Sequence, residues 1–175
     1  MGNGISGVNQ NNFFSQVTQR LSQIEREARG RIYSEPAMYE TAVMTGNFTI
    51  GGALNVFLDT GLSITLPSIG TYRVSANIRG VITGKAGAVW WEKIKIYDST
   101  AAADIADSER IILVVGVTGA QFQVTCPLDV FVTVTQASVL KVYVARDGAG
   151  GATFTQSQIL SDANGRSTIS YQKMF

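Results

Sequence analysis

The sequence predicts an all-β chain, an antiparallel sandwich or jelly roll preceded by one short helix. Three observations carry this expectation. Residues 70–82 alternate, with Tyr72, Val74, Ala76, Ile78 and Ile82 on one parity and Thr71, Arg73, Ser75, Asn77 and Arg79 on the other, which is the pattern of a strand with one apolar face. Glycine is frequent, 18 of 175 residues, and charged residues are only 15% of the chain, which suits β-branched strands joined by tight turns. Apolar runs of strand length recur from residue 48 onward, giving about eight to ten strands at the spacing of a sandwich or jelly roll.

In chain order, residues 1–12 are glycine- and asparagine-rich and show no periodicity. We read them as an anchoring arm that is ordered only against a partner. Over 13–30 the period changes. Phe14, Val17, Leu21, Ile24 and Ala28 are spaced three, four, three and four, the a and d positions of two heptads. Asn11 or Asn12 can cap the helix start and Gly30 can end it. Arg20 and Glu25 fall where parallel neighbouring helices would pair them. Such a stripe can lie on its own domain or self-associate; its narrowness favours self-association, as a trimerising helix.

Residues 31–47, with Pro36 and Gly46 as breakers, read as a connector. The β domain is expected over 48–175. Its strand candidates are Phe48–Ile50, Leu54–Leu58 and the alternation Leu62, Ile64, Leu66. Residues 70–82 follow, with Gly70 as a turn and Gly80 as a bulge or bend. Next comes Ala88–Tyr97, where Trp90, Ile94 and Ile96 oppose Trp91, Lys93, Lys95 and Tyr97. Arg110–Val117 is nearly all apolar, which predicts burial on both faces or in a subunit interface. Phe122–Cys126, Asp129–Thr135 and Val139–Ala145 read as successive strands. Phe154 to Ile159 and Ser167 to Phe175 close the chain.

Composition narrows the chemistry. The net charge of +1 gives no electrostatic case for nucleic acid or an anionic membrane. With no histidine and a single cysteine, Cys126, the chain has no intrachain disulfide, no Cys/His zinc site and no histidine-based triad. No apolar run reaches membrane-spanning length, and the first residues lack the cationic start and apolar run of a signal peptide.

Gly70-Thr71-Tyr72-Arg73-Val74-Ser75 resembles the G-x-Y-x-hydrophobic-S strand of the tumour-necrosis-factor-like domains, which include the globular heads of complement proteins. The block Asp129 to Val144 and the closing strand at Tyr171 fall where that family places its later strands. The resemblance covers roughly residues 40–175 by pattern. It implies a jelly roll that assembles as a homotrimer. A short N-terminal stalk on such a domain is also common in bacteriophage fibres, needles and knobs. The family's collagen repeat and its Phe-Gly pair near the end are absent, Ser170-Tyr171-Gln172 standing in place of the latter, which points away from an animal signalling head.

The resemblance therefore implies a non-enzymatic bacteriophage virion protein, made in the host cytoplasm. It would be held to other virion proteins through residues 1–30 and contact a host-surface glycan or protein through its jelly roll. A capsid decoration protein and a non-viral ligand-binding head are the alternatives.

Few residues offer chemistry. Asp98, Asp104, Asp107 and Glu109 form an acidic stretch without calcium-loop spacing, which we read as a solvated loop. The glycines at 148–151 and near 84 lack the setting of a phosphate loop and read as turns. Cys126 reads as a small buried hydrophobe. Arg73, Arg79, Trp91, Lys93, Lys95 and Tyr97, on polar strand faces, are the candidate ligand-facing or subunit-contact residues. We expect no catalytic residue, metal or cofactor.

Overall fold

A computed structural model describes residues 15–26, 38–87 and 89–174. The chain divides into two units, Met1–Ala37 and Met38–Phe175. In the first, residues 15–26 are helical. Val17, Leu21 and Ile24 are exposed on this helix; Phe14, Ala28, the arm over 1–12 and both caps lie outside the described residues.

The described residues of the second unit form eleven strands: β1 (Tyr39–Val43), β2 (Phe48–Thr49), β3 (Leu58–Leu66), β4 (Gly70–Ala86), β5 (Val89–Asp98), β6 (Ala103–Asp104), β7 (Arg110–Val115), β8 (Gln121–Val134), β9 (Ser138–Ala149), β10 (Thr153–Leu160) and β11 (Thr168–Lys173). One sheet runs β1-β11-β4-β10-β2, with β8 also paired to β4; the other runs β3-β9-β5-β6, with β7 also paired to β5. All pairings are antiparallel. Setting aside the short β2 and β6 and the extra β10, eight principal strands remain. In their own order they read 1-8-3-6 in one sheet and 2-7-4-5 in the other. This is the double wrapping of a jelly roll.

β4 is the axis of its sheet. Residues 70–83 pair with β8 along one edge; along the other, 72–77 pair with β11 and 79–86 with β10. Tyr72, Val74, Ala76, Ile78 and Ile82 are all buried, so the parity of residues 70–82 holds. They meet Trp90, Ile94 and Ile96 of β5 and Leu140, Val142 and Val144 of β9 in one core. Each fully buried side chain of this kind contributes roughly 1.5–3 kcal/mol. Tyr72 packs edge-on against Tyr171, ring centres 5.4 Å apart, and donates its hydroxyl to the Ser68 carbonyl.

Several elements differ from expectation. β1 forms inside the segment read as a connector, because its partner β11 needs an edge neighbour there. Leu54–Leu58 is not a strand: Leu54 and Asn55 form a turn, with Asn55 at φ 60°. Phe122–Cys126 and Asp129–Thr135 merge into β8, which runs through Pro127 opposite Asn77. A proline is tolerated there because β8 is an edge strand, where a missing N–H breaks no second ladder.

Gly80 is neither bulge nor bend, since its register with β8 and β10 is regular. The irregularity lies instead in β10, around Phe154. Gly84 is not a turn either; it lies within β4 beneath the Trp90 ring, in van der Waals contact that leaves no room for a side chain. Arg110–Val117 is not buried on both faces. A register shift in β7 turns both Ile112 and Leu113 inward, and Ile111, Val114 and Val117 remain more than half exposed.

Candidate functional site

The jelly roll presents two outer faces, and the six candidate residues divide between them. Trp91, Lys93, Lys95 and Tyr97 alternate outward on β5. Arg73 and Arg79 point outward from β4 in the other sheet. The structure does not bring the two groups together.

On the β5 face the chain covers its own cations. Residues 51–57 cross this sheet and are pinned to it. The Asn55 N–H donates to the Arg146 carbonyl at 2.8 Å, and the Arg146 guanidinium donates to the Gly52 carbonyl at 2.9 Å. The Lys93 ammonium donates to the Asn55 side-chain carbonyl. It also stands 3.6 Å from Glu109 and 3.7 Å from Asp147. Lys95 pairs with Asp104 at 2.7 Å and lies 4.3 Å from the centre of the Phe57 ring. Beside them Tyr97 packs on Tyr143, and Lys141 pairs with Asp59 at 2.7 Å. Burial raises the Asp59 carboxyl, but hydrogen bonds from Lys141 and the Gly61 N–H outweigh it and hold the group below its ordinary range.

Arg79 is likewise engaged. Its guanidinium donates to Asp162 at 2.9 Å, to the Gly165 carbonyl at 3.0 Å and to Gln123 at 3.3 Å. These contacts close the β10–β11 loop against β4. The bond from Arg79, followed by the Asn164 N–H, holds Asp162 below the usual carboxylate range.

Arg73 sits differently. It donates two N–H groups to Asp129, at 3.2 and 3.1 Å, and Ser75 donates to the same carboxylate. Those hydrogen bonds, Arg73 first, lower the Asp129 pKa. Both partners remain about half exposed. The register of four strands places Tyr39, Gln172, Arg73 and Phe131 in one row across this outer face. The next outward row is Thr41, Ser170, Ser75 and Asp129. Tyr39 is 67% and Phe131 70% exposed. Neither was singled out in the sequence, although Phe131 falls on the polar parity of β8, where an aromatic ring has no core to enter.

The acidic stretch does not converge on one point. Asp98 is buried and accepts from the Thr100 and Ala101 N–H groups, while Asp104 and Glu109 turn to lysines. Among the described residues no three metal-ligating side chains cluster. Cys126 is half-buried on β8 and burial raises its thiol pKa.

A buried carboxyl also escaped notice in the sequence. Glu92 lies between the sheets with no exposed surface. Ser157 donates to its Oε1 at 2.8 Å, while Oε2 has no partner. Desolvation pushes its pKa up to about 8, against the opposing hydrogen bonds of Ser157 and the Gln158 N–H. Its parity with Trp90, Ile94 and Ile96 was the available signal.

These features define a jelly-roll protein with one outer face partly covered by residues 51–57 and exposed at β7, and another that carries the exposed Tyr39 and Phe131. The sequence matches no family model and no curated protein. Solved structures of similar chain path include several from infectious bursal disease virus. The Gx strain structure gives a TM-score of 0.49 at 12% identity over 80% of this chain and 33% of that one. The virus-derived T=1 particles give 0.46 at 13%, over 80% and 32%. The VP2 subviral particle gives 0.48 at 10%, over 80% and 33%. The chain spans about a third of the length of these neighbours.

Proposed function

We propose that this is a structural protein of a virus particle, a homotrimeric bacteriophage fibre or knob. The observation that carries self-assembly is that each of the two units exposes large apolar side chains. In the first they form the helix stripe Val17, Leu21 and Ile24; in the second they are Ile111, Val114, Val117, Phe122 and Val124 around β7 and the start of β8. A narrow a/d stripe is buried by a second helix of the same kind, and the parallel arrangement sets identical domains side by side. Large apolar side chains exposed together on neighbouring strands mark an interaction site. The second surface includes the edge of β8 that no other described strand pairs, whose N–H and C=O groups also favour a neighbour.

The finer assignment to a phage fibre is supported by the Gly70–Ser75 strand motif and by the order of helical stalk then jelly roll. Residues 1–30 are the part we assign to attachment on other virion proteins, with 13–30 as the trimerising helix.

Sedimentation equilibrium of the full chain tests the assembly: three chain masses are expected, and a monodisperse monomer at micromolar concentration overturns it. Removal of residues 1–12 tests the attachment. The truncated protein should fold but fail to load onto particles, and normal loading would exclude the arm as tether.

A further inference from the structure

We propose that the outer face of the β4 sheet binds a neutral oligosaccharide, laid across β1, β11, β4 and β8 on the row Tyr39–Gln172–Arg73–Phe131. This goes beyond the assembly reading and does not depend on trimer formation.

Two aromatic rings terminate the row, each about two-thirds exposed. They are three inter-strand steps apart, or about 14 Å. Between them stand an amide and a guanidinium, flanked by Ser75 and the Asp129 carboxylate. The Arg73 guanidinium has five N–H groups, of which two are given to Asp129, leaving three for a ligand beside the exposed Gln172. A sugar ring has an apolar C–H face and a hydroxyl edge. Aromatic faces accept the first, and a fixed set of amide, guanidinium and carboxylate groups pairs with the second. The spacing demands a chain longer than one ring, and a row that crosses four strands admits an extended one.

Charge and layout exclude other occupants. Arg73 is paired with Asp129 of the neighbouring row at 3.1 Å, so the two rows together carry no net charge with which to attract phosphate or nucleic acid. An interface between protein copies has an apolar centre and a polar rim. Here the order is reversed, with the ion pair in the middle and the apolar rings at the ends.

The test is NMR titration of the full-length protein with neutral trisaccharides: cellotriose, maltotriose and N-acetylchitotriose. Saturable shifts are expected at the amides of residues 39, 73, 131 and 172. Phe131→Ala and Tyr39→Ala should each weaken binding about tenfold or more, with thermal midpoints unchanged because both rings are exposed. Ile111→Ser, on the opposite sheet, should leave binding intact. Absence of saturable shifts with all three sugars at millimolar concentration overturns the proposal, as does binding that survives the double aromatic variant. Loss of oligomeric mass in that variant also overturns it, by showing the face to be a contact between copies.

Discussion

Glu92 fills the space that a side chain at Gly80 would occupy: a methyl group built on Gly80 would stand 2.5 Å from Glu92 Oε2. Gly80 belongs to the β4 sheet and Glu92 to the β5 sheet, so the missing side chain on one sheet makes room for a carboxyl from the other. Ile112 and Leu113 close the same space, 2.9 and 3.1 Å from that methyl position. Desolvation there favours the neutral acid.

The domain should therefore lose stability as pH rises through neutrality. Below about 4.5 the Glu92 carboxyl is protonated both folded and unfolded, and it contributes no pH dependence. Between 4.5 and about 8 the unfolded chain releases the proton while the folded one holds it. Each unit of separation corresponds to about 1.4 kcal/mol, so the full interval amounts to roughly 4–5 kcal/mol. Asp59 and Asp129, with lowered pKa values, act in the opposite sense, losing their contribution as pH falls below the ordinary carboxylate range. Urea titrations at pH 5 and pH 8 should show the higher midpoint at pH 5. Glu92→Gln should remove most of the difference; an unchanged slope in that variant would assign the dependence to other groups.

Gly80→Ala should be destabilising despite alanine's better backbone entropy. The added methyl meets Oε2 and two buried aliphatic side chains at sub-contact distance, and overpacking of this kind costs about 1–3 kcal/mol. Glu92→Ala in the same chain should recover part of that loss, since it empties the space. Additive losses in a double-mutant cycle would mean that the two residues do not share it.

Phe57→Ala should loosen the strap over the β5 face. The ring lies against both lysine ammonium groups, closest to Lys95, and such a contact at a partly exposed site is worth about 0.5–1 kcal/mol. Acetylation followed by mass spectrometry should find Lys95 labelled faster in the variant. Equal labelling would mean that residues 51–57 hold without the ring.

The jelly roll was readable because its long strands obey strict alternation. Tyr72 to Ile82 and Trp90 to Ile96 name their own inner faces, and those faces make the core. What escaped depended on neighbours distant in sequence. β1 looks like connector until β11 is placed beside it. Leu54 and Val56 suggest a strand, but Asn55 is turned to serve Lys93 and Arg146 on other strands. The two inward residues of β7 follow from a bulge that no local residue announces. The face that carries Tyr39 and Phe131 was only partly legible. Arg73 declared its direction by parity, whereas the Tyr39–Phe131 row exists only through three strand registers, which alternation along one strand does not encode.

Val74→Asp should cost far more than Arg73→Asp, although the two positions are adjacent. Val74 has no exposed surface and stands opposite Val130 and Tyr171 within the core. Aspartate there must either ionise in an apolar layer or hold a proton, and each route costs several kcal/mol. Arg73 is half exposed and paired with Asp129. Its replacement removes a surface ion pair and sets a second carboxylate near the first, a change of about 1 kcal/mol. A domain with a stability of about 5–15 kcal/mol survives the second change and can be unfolded by the first. Denaturant titration of both variants measures the ranking. Equal losses would require both side chains of β4 to meet the same environment, and the two-faced strand on which both sheets are built would be refuted.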